Sequence, residues 1–294
     1  MIGCSGGPDS VCLLDIFCQL KDKYGLGIVV AHVNYGLRKK DSELDEKLVS
    51  GLAKKYSLPV EIIRTGRYSP KSANLEEKLR NFRYNFFREV QKKHKAGAIA
   101  VAHNRGDQAE TVIMRIVRGT GLRGLGAIKF KNGNIIRPFL NVSRKEILDY
   151  LRKNKIGSRT DKTNFEDNFT RNKIRNQLLP QIAKDFNPNI EEALYNLSQS
   201  VAEDYSFIRL FSSEWLKAKK NLSVADLRKL HPSIRKEVLR LAIEEYNPNL
   251  RKIEFRHIDE IMKIIKSNKS KTQETEITGL KIKKKGDKLI ISKA

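Results

Sequence analysis

Apolar positions over residues 1–150 switch repeatedly between two patterns. Residues 27–33 form a continuous apolar run rich in β-branched side chains, as expected of a strand covered on both faces. Leu44, Leu48 and Leu52 then recur at helical spacing and predict a helix over residues 41–56. Residues 59–63 predict a third strand, and Leu75, Leu79, Phe82, Phe86 and Val90 form the stripe of a long helix. Residues 98–103 predict another buried strand. A helix over residues 107–118 follows, ended by Gly119 and Gly121. Residues 135–138 add a short strand, and Ser143-x-x-Glu146 is a capping box opening a helix that runs to Asn154. Residues 168–179 predict a polar helix with Arg171 and Arg175 one turn apart. This rhythm predicts an α/β fold, a doubly wound parallel sheet with helices on both faces.

The composition shifts after Pro180. Residues 187–267 predict several amphipathic helices, with Ser223-x-x-Asp226 and His231-Pro232-Ser233 as starts. Residues 268–275 are polar and linker-like. Residues 276–282 and 288–292 predict two strands around Lys285-Gly286-Asp287. The expected organisation is an α/β domain over 1–182, a helical domain over 183–267, and a linker with a small hairpin over 268–294.

Charge adds a partner class. Lys and Arg number 58 and Asp and Glu 34 in 294 residues, a net +24. Residues 1–50 carry 6 basic and 7 acidic residues, whereas residues 51–100 carry 12 and 4, and residues 251–294 carry 13 and 6. A polyanion such as RNA is the expected partner, met by both basic regions. The cysteines Cys4, Cys12 and Cys18 form no C-x-x-C, which argues against a zinc ribbon or an iron–sulfur cluster. They read as small buried residues of a reducing compartment. With no signal peptide and no apolar run of bilayer length, the cytoplasm is the expected location.

The densest chemistry lies at the start. Ser5-Gly6-Gly7-Pro8-Asp9-Ser10 stands between a short apolar segment, residues 1–4, and an apolar helical pattern from Val11. Such a turn aims backbone N–H groups and a helix N-terminus at one anion. Pro8 suits the first helical turn, Ser10 adds a hydroxyl donor, and Asp9 can hold a Mg²⁺ that bridges phosphate oxygens. The segment is neither a Walker A loop nor a Rossmann fingerprint. His32 and His103 end predicted strands, where ligands of a parallel sheet gather. Either is a packing residue or a hydrogen-bonding partner of a nucleotide. Asp107 and Glu110 lie three apart at a helix start, able to face one cleft or simply to cap the helix. Glu76, Arg80 and Arg83 share a helix face, as an exposed salt-bridge ladder or as anion ligands. Arg115 and Arg118 precede a Gly-rich turn. Asp161, Thr163, Asn164, Arg171, Asn172 and Arg175 suit either loop and cap structure or RNA contact.

The loop resembles the S-G-G-x-D-S pyrophosphatase loop of ATP-dependent ligases. In order along the chain, it is followed by Ala31-His32-Val33-Asn34-Tyr35-Gly36-Leu37-Arg38, Glu76-x-x-x-Arg80-x-x-Arg83-Tyr84, Ala102-His103-Asn104-Arg105-Gly106-Asp107-Gln108-Ala109-Glu110-Thr111, Arg115-x-x-Arg118-Gly119-Thr120-Gly121, Arg137-Pro138, Asp161-Lys162-Thr163-Asn164 and Arg171-Asn172-x-x-Arg175. Over residues 1–180 this order resembles the tRNA(Ile)-lysidine synthetases.

The resemblance implies an adenine nucleotide alpha hydrolase-like fold and an ATP-dependent carbon–nitrogen ligase. ATP adenylates the C2 oxygen of the wobble cytidine in a tRNA(Ile) with a CAU anticodon, releasing pyrophosphate. The ε-amine of L-lysine then displaces AMP to give lysidine. Ser5, Gly6, Gly7, Pro8, Asp9, Ser10, His32 and His103 become the expected ATP site, with Mg²⁺ on Asp9. Asp107, Glu110 and Arg80 join Asp9 as expected catalytic residues, one of the two acids binding the lysine ammonium and either able to take its proton. Arg83, Arg115, Arg118, Asn164, Arg171 and Arg175 are the expected tRNA contacts, and a homodimer is plausible for this family. A 2-thiocytidine synthetase-like enzyme and a non-catalytic RNA-binding protein are the alternatives. The chain departs from the pattern in three ways. Tyr35 stands where a second histidine is common, a second C-terminal domain is missing, and only four residues precede Ser5. The last leaves two expectations open: a weakly anchored loop, or a natural start further upstream.

Overall fold

The computed structural model describes residues 1–37, 40–66, 74–159, 170–219, 221–246, 253–269 and 271–293. The order begins β1 (Ile2–Gly3), α1 (Pro8–Tyr24), β2 (Val30–Asn34), α2 (Lys40–Lys55), β3 (Val60–Arg64) and α3 (Leu75–Lys93). It continues with β4 (Ile99–Ala100), α4 (Arg105–Val117), α5 (Leu122–Leu125), β5 (Lys131–Asn132), β6 (Ile135–Ile136) and α6 (Arg144–Lys153). Next come α7 (Thr170–Lys173), a π turn (Ile174–Leu178), α8 (Leu179–Asp185) and α9 (Ile190–Lys217). The last elements are β7 (Leu222–Ser223), α10 (Val224–Lys229), α11 (Pro232–Tyr246), α12 (Phe255–Lys266), β8 (Gln273–Ile277), β9 (Leu280–Lys285) and β10 (Lys288–Lys293). Among the described residues no helix is long and apolar enough to cross a membrane.

Two compact units result. The first holds residues 1–119 and 127–198, the second residues 120–126 and 199–294. In the first, six strands lie in the order β3-β2-β1-β4-β6-β5, parallel except for the edge strand β5. The two-residue strand β1 sits at the centre, in register with Val30 and Ala31 on one side and with Ala100 on the other. Ile2, Val30 and Ala100 face a core shared with Val11 and Leu14 of α1, Val49 and Leu52 of α2, and Ile147 and Leu151 of α6. Val29, Ala31, Val33, Ile99 and Val101 face the opposite core, built on Tyr84, Phe86, Phe87 and Val90 of α3. Gly3 points that way too, and a Cβ there would meet the Phe87 ring at 2.6 Å.

Several local patterns resolve differently from the sequence expectation. Leu44 is 43 % exposed, and α2 instead buries Ser42, Asp45, Glu46, Val49, Leu52 and Ala53. The cause is electrostatic: Asp45 accepts from Arg159, and Glu46 takes hydrogen bonds from Arg64 and Asn34, turning these acids inward. The helix expected to stop at Leu179 continues through the π turn into α8, where Pro180 occupies a first-turn position that needs no N–H donor. Residues 168 and 169 of that expected helix lie outside the described residues.

The second unit closes on one core shared by α10, α11, α12 and the four-stranded antiparallel sheet β7-β10-β9-β8. The strand expected over 276–282 is broken by a turn at Thr278 and Gly279, both with positive φ, and β8 begins inside the expected linker. The capping signals at Ser143 and Ser223 both open helices, each serine accepting from the N–H three residues on.

The Gly3 contact carries a stability test. Gly3→Ala is expected to cost about 1–3 kcal/mol by overpacking against Phe87. Gly27→Ala, where a Cβ meets nothing within 4 Å, is expected to stay within about 0.5 kcal/mol of the parent. Denaturant unfolding midpoints measured side by side check both.

Candidate active site

In a sheet ordered 3-2-1-4, the direction in which successive strands are added reverses between the parallel strands β1 and β4, and a crevice opens at their carboxyl ends. Both loops that leave this point carry candidate residues. After β1 the chain turns through Gly6, whose φ of +88° is in the region that favours glycine, and enters α1 at Gly7 and Pro8. The Ser10 hydroxyl accepts from Ser5 N–H at 3.0 Å and donates to the Gly7 carbonyl at 2.9 Å, closing the loop into a ring. Arg159 N–H donates to the Gly6 carbonyl at 3.0 Å, and the Arg159 guanidinium holds Asp45 at 2.9 Å and Asp41 at 2.7 Å. The first-turn N–H groups of α1 have no acceptor within the helix and point at the crevice with its positive dipole end.

After β4, Asn104 caps α4 in a reciprocal box with Asp107: each backbone N–H is held by the other's side chain at 3.0 Å. The Asn104 amide also donates to Asp9 at 3.2 Å, so one residue ties the two loops together. The second carboxylate oxygen of Asp9 pairs with Arg144, the first residue of α6. Burial pushes the Asp9 carboxyl above its ordinary range, and Arg144 only partly offsets this.

Asp107 and Glu110 do face one cleft, and both are bound by arginines. Arg171 donates to Asp107 at 2.8 Å and to Glu110 at 2.6 Å; Arg175 donates to Asp107 at 3.2 Å and to Glu110 at 2.5 Å. The Glu110 side chain is only 3 % exposed, so these guanidiniums are its compensation for lost water. Burial opposes ionisation of Asp107, but Arg171, His103, the Asn104 N–H and Arg175 together hold its carboxyl below the usual range.

These groups line one cavity of about 790 Å³ within the first unit. Arg80, Arg83, Glu76 and His103 line it as well. Arg80 and Arg83 stack over the Tyr84 ring at 5.0 and 5.5 Å. Burial pushes the His103 imidazole down; Asp107 opposes this, while Arg137, Arg83 and Arg171 reinforce it. His103 is therefore neutral at neutral pH, and its Nδ1 has no protein partner among the described residues. Tyr35, at the position of the missing histidine, also lines the cavity and donates its hydroxyl to the Leu79 carbonyl at 3.2 Å.

Other expected residues lie elsewhere. His32 does not line the cavity; its Nδ1 donates to the Cys4 carbonyl at 2.9 Å, supporting the loop from behind. Burial lowers its pKa, so that ring is neutral too. Arg115 and Arg118 sit at the far end of α4, away from the cavity. Asp161, Thr163 and Asn164 lie outside the described residues. Sequence reasoning missed Asn104, Arg144, Arg159 and Glu191 as cavity residues. Only Asn104 had a readable signal, as a cap residue three before Asp107.

A Mg²⁺ shared with phosphate oxygens needs only one or two protein carboxylates and keeps several waters. Asp9 suits that donor set, since it faces the cavity and its buried carboxylate gains from a nearby cation. No cluster of three ligating residues occurs among the described residues. Burial pushes the Cys12 thiol up to about 12 and the Cys18 thiol up to about 11, and raises Cys4 as well. Thiols held so far from ionisation are poor sulfur carriers.

Comparison with known proteins places this geometry. A family model described as a PP-loop domain matches residues 1–182. The tRNA(Ile)-lysidine synthase of Clostridioides difficile is 36 % identical over 99 % of this chain and 66 % of its own length. That of Clostridium acetobutylicum is 37 % identical over 89 % of this chain and 59 % of its own. That of Solibacter usitatus is 33 % identical over 96 % and 64 %. The chain thus spans about six-tenths to two thirds of the length of these curated relatives. A solved U34-tRNA thiolase, NcsA from Methanococcus maripaludis, superposes with a TM-score of 0.55 at 17 % identity, covering 69 % of this chain and 70 % of its own, a likeness of fold alone. The match over the whole sheet-bearing segment, loop and acid pair included, makes the chain a member of the PP-loop ATP-binding family.

Proposed function

We propose that this chain ligates L-lysine to C2 of the wobble cytidine in a tRNA(Ile) with a CAU anticodon, using ATP and releasing pyrophosphate and AMP. The observation that carries the proposal is the four-charge cluster of Asp107, Glu110, Arg171 and Arg175 beside the residue 5–10 loop in one cavity. A free amino acid presents an ammonium and a carboxylate together. Two carboxylates and two guanidiniums are complementary to both, which a nucleotide site alone does not require.

In the first half-reaction the loop amides and the Ser5 hydroxyl hold the β- and γ-phosphates, while Ser10 braces the loop through Ser5 N–H and the Gly7 carbonyl. The cytidine O2 forms a bond to the α-phosphorus as the bond to pyrophosphate breaks, and donors preset around the leaving group stabilise its charge. Asp9 would hold a Mg²⁺, which would supply further charge neutralisation there. Arg144, paired with Asp9, lines the same cavity as a further cation. Arg80 and Arg83 face the same space and neutralise anionic groups, and His103 offers a neutral hydrogen bond to the adenylate or the base.

In the second half-reaction the lysine head group takes the four-charge cluster and its side chain extends to C2. Arg171 and Arg175 thereby serve lysine rather than tRNA. The tRNA contacts fall to Arg115, Arg118, Asn164 and the second unit, whose β9 and β10 expose Lys281, Lys285, Lys288 and Lys293. A homodimer and a cytoplasmic location are parts of the same reading.

Incubation with ATP, Mg²⁺, labelled lysine and a CAU-anticodon transcript is expected to give lysine incorporation into RNA. A folded protein that incorporates none overturns the proposal. Affinity for the transcript is expected to fall steeply with salt, as log K against log[salt] with a slope of roughly −0.7 to −0.9 per phosphate contact, measurable by filter binding.

Asp107→Asn keeps the cap but removes the charge. It is expected to lower kcat/KM for lysine roughly 10–100-fold while leaving ATP affinity within about threefold, the loss typical of a charge-assisted contact. Loss of ATP binding with lysine use intact would show that the roles have been exchanged.

A further inference from the structure

In a chain of net charge +24, the cavity is balanced: among the described residues six carboxylates and six arginines line it, and no lysine does. Four of the carboxylates are neutralised in place, Asp9 by Arg144, Asp45 by Arg159, and Asp107 and Glu110 by Arg171 and Arg175. The other two, Glu76 and Glu191, have no ion pair within 4.0 Å among the described residues. Glu76 is exposed. Glu191, in the first turn of α9, is half-buried, and its Oε1 lies 3.6 Å from where a Cβ on Gly106 would stand, at the N-terminus of α4 beside the acid pair.

We infer that Glu191 is the general base of the amine-transfer step, accepting the proton of the lysine ε-ammonium. The inference rests on the lysine-ligation reading above. An ε-ammonium, with an ordinary pKa of about 10.4, has no lone pair and must lose a proton before it can attack. Asp107 and Glu110 are poor acceptors because two guanidiniums already donate to their oxygens. Glu191 accepts no hydrogen bond among the described residues, which leaves its lone pairs open. Burial raises its affinity for a proton, the charges of Glu110 and Asp107 on α4 act the same way, and Arg105 on α4 and Arg175 on the π turn oppose them. A carboxylate moved toward neutral pH is the better base there.

The step balances as follows in atoms and charge. The ε-nitrogen gives one proton to a Glu191 oxygen and its freed lone pair forms the N–C2 bond. The C2–O bond to the adenylate breaks, AMP departs with that electron pair, and the C2-bound nitrogen gives its second proton to the departing AMP phosphate. The half-exposed Glu191 then returns its proton to solvent.

Glu191→Gln tests this in the full chain through two separate readouts. Pyrophosphate release with ATP and tRNA but no lysine is expected to stay within about twofold of the parent. Single-turnover lysine transfer at pH 7 is expected to fall ~100-fold, the usual contribution of a positioned base. Raising the pH toward 9 is expected to narrow that deficit about tenfold per unit, because the free amine fraction rises in proportion below the amine pKa. Glu191→Asp, which keeps a carboxylate, is expected to retain at least about a tenth of parental transfer. Parental transfer by Glu191→Gln overturns the inference. So do equal loss of pyrophosphate release, a deficit that ignores pH, or equal losses in the Asp and Gln variants. Absence of transfer by the unchanged chain removes the lysine reading itself, and this inference with it.

Discussion

The segment Met1–Cys4 is hydrogen-bonded on both sides, and the position of everything in the cavity follows from that. Ile2 N–H donates to Val29 at 2.8 Å, Cys4 N–H to Ala31 at 2.9 Å, and Ala100 N–H to the Met1 carbonyl at 2.8 Å. A central strand need not be long when its neighbours supply burial, and Ile2 and Cys4 are each 2 % exposed. The pairing fixes where the chain must turn, at Ser5, beside the point where the sheet reverses its order. Ser10, the α1 cap and the Arg159 N–H then hold that turn from three directions. The loop is therefore well anchored despite the four residues that precede it.

Electrostatics imposes the second constraint. A carboxylate as buried as Glu110 needs a cation in contact, and the planar five-donor guanidinium can serve two carboxylates at once. Arg171 and Arg175 each do so, which makes Asp107 and Glu110 a single unit with them. Lysine would present a compact, strongly hydrated charge in the same place. In this chain arginine balances charge within the cavity, while exposed lysines on β9 and β10 contribute to the net positive charge outside it. A cavity near neutrality can accept an anionic phosphate and a cationic amine in one space without favouring either sign.

Much of this was legible in the chain. Strands covered on both faces read as apolar runs, caps at Ser143 and Ser223 read as hydroxyl-to-acid spacings, and the residue 5–10 loop read as a phosphate turn. Partners distant in sequence were not legible. Nothing local to Arg144 announces Asp9, and nothing local to Arg159 announces Asp45 and Gly6. For the same reason α2 was expected to bury Leu44, since its inward acids make sense only once Arg64, Asn34 and Arg159 are in place. The strand expected over 276–282 failed differently. Thr278 is β-branched and fits a strand pattern, yet it sits at positive φ, and only Gly279 marked the turn.

His32 and His103 show where pattern stops and register begins. His32 lies within β2 and His103 follows β4, the two parallel strands that flank β1, and either fits a nucleotide site by type. Side chains on a strand alternate, so position parity decides which face each one meets. Val33 and Val101 face the α3 core, and odd positions near these strand ends therefore open toward α3 and the cavity. His103 shares that parity and lines the cavity, while His32 is even, faces the α1 and α2 side, and is spent on the Cys4 carbonyl. Arg80, Arg83 and Tyr84 approach from the same α3 side, and the ring that can meet a ligand is also the one whose charge burial, Arg137, Arg83 and Arg171 suppress. A neutral imidazole beside arginines suits hydrogen bonding to a base or an adenylate better than proton transfer, which leaves the proton chemistry to a carboxylate.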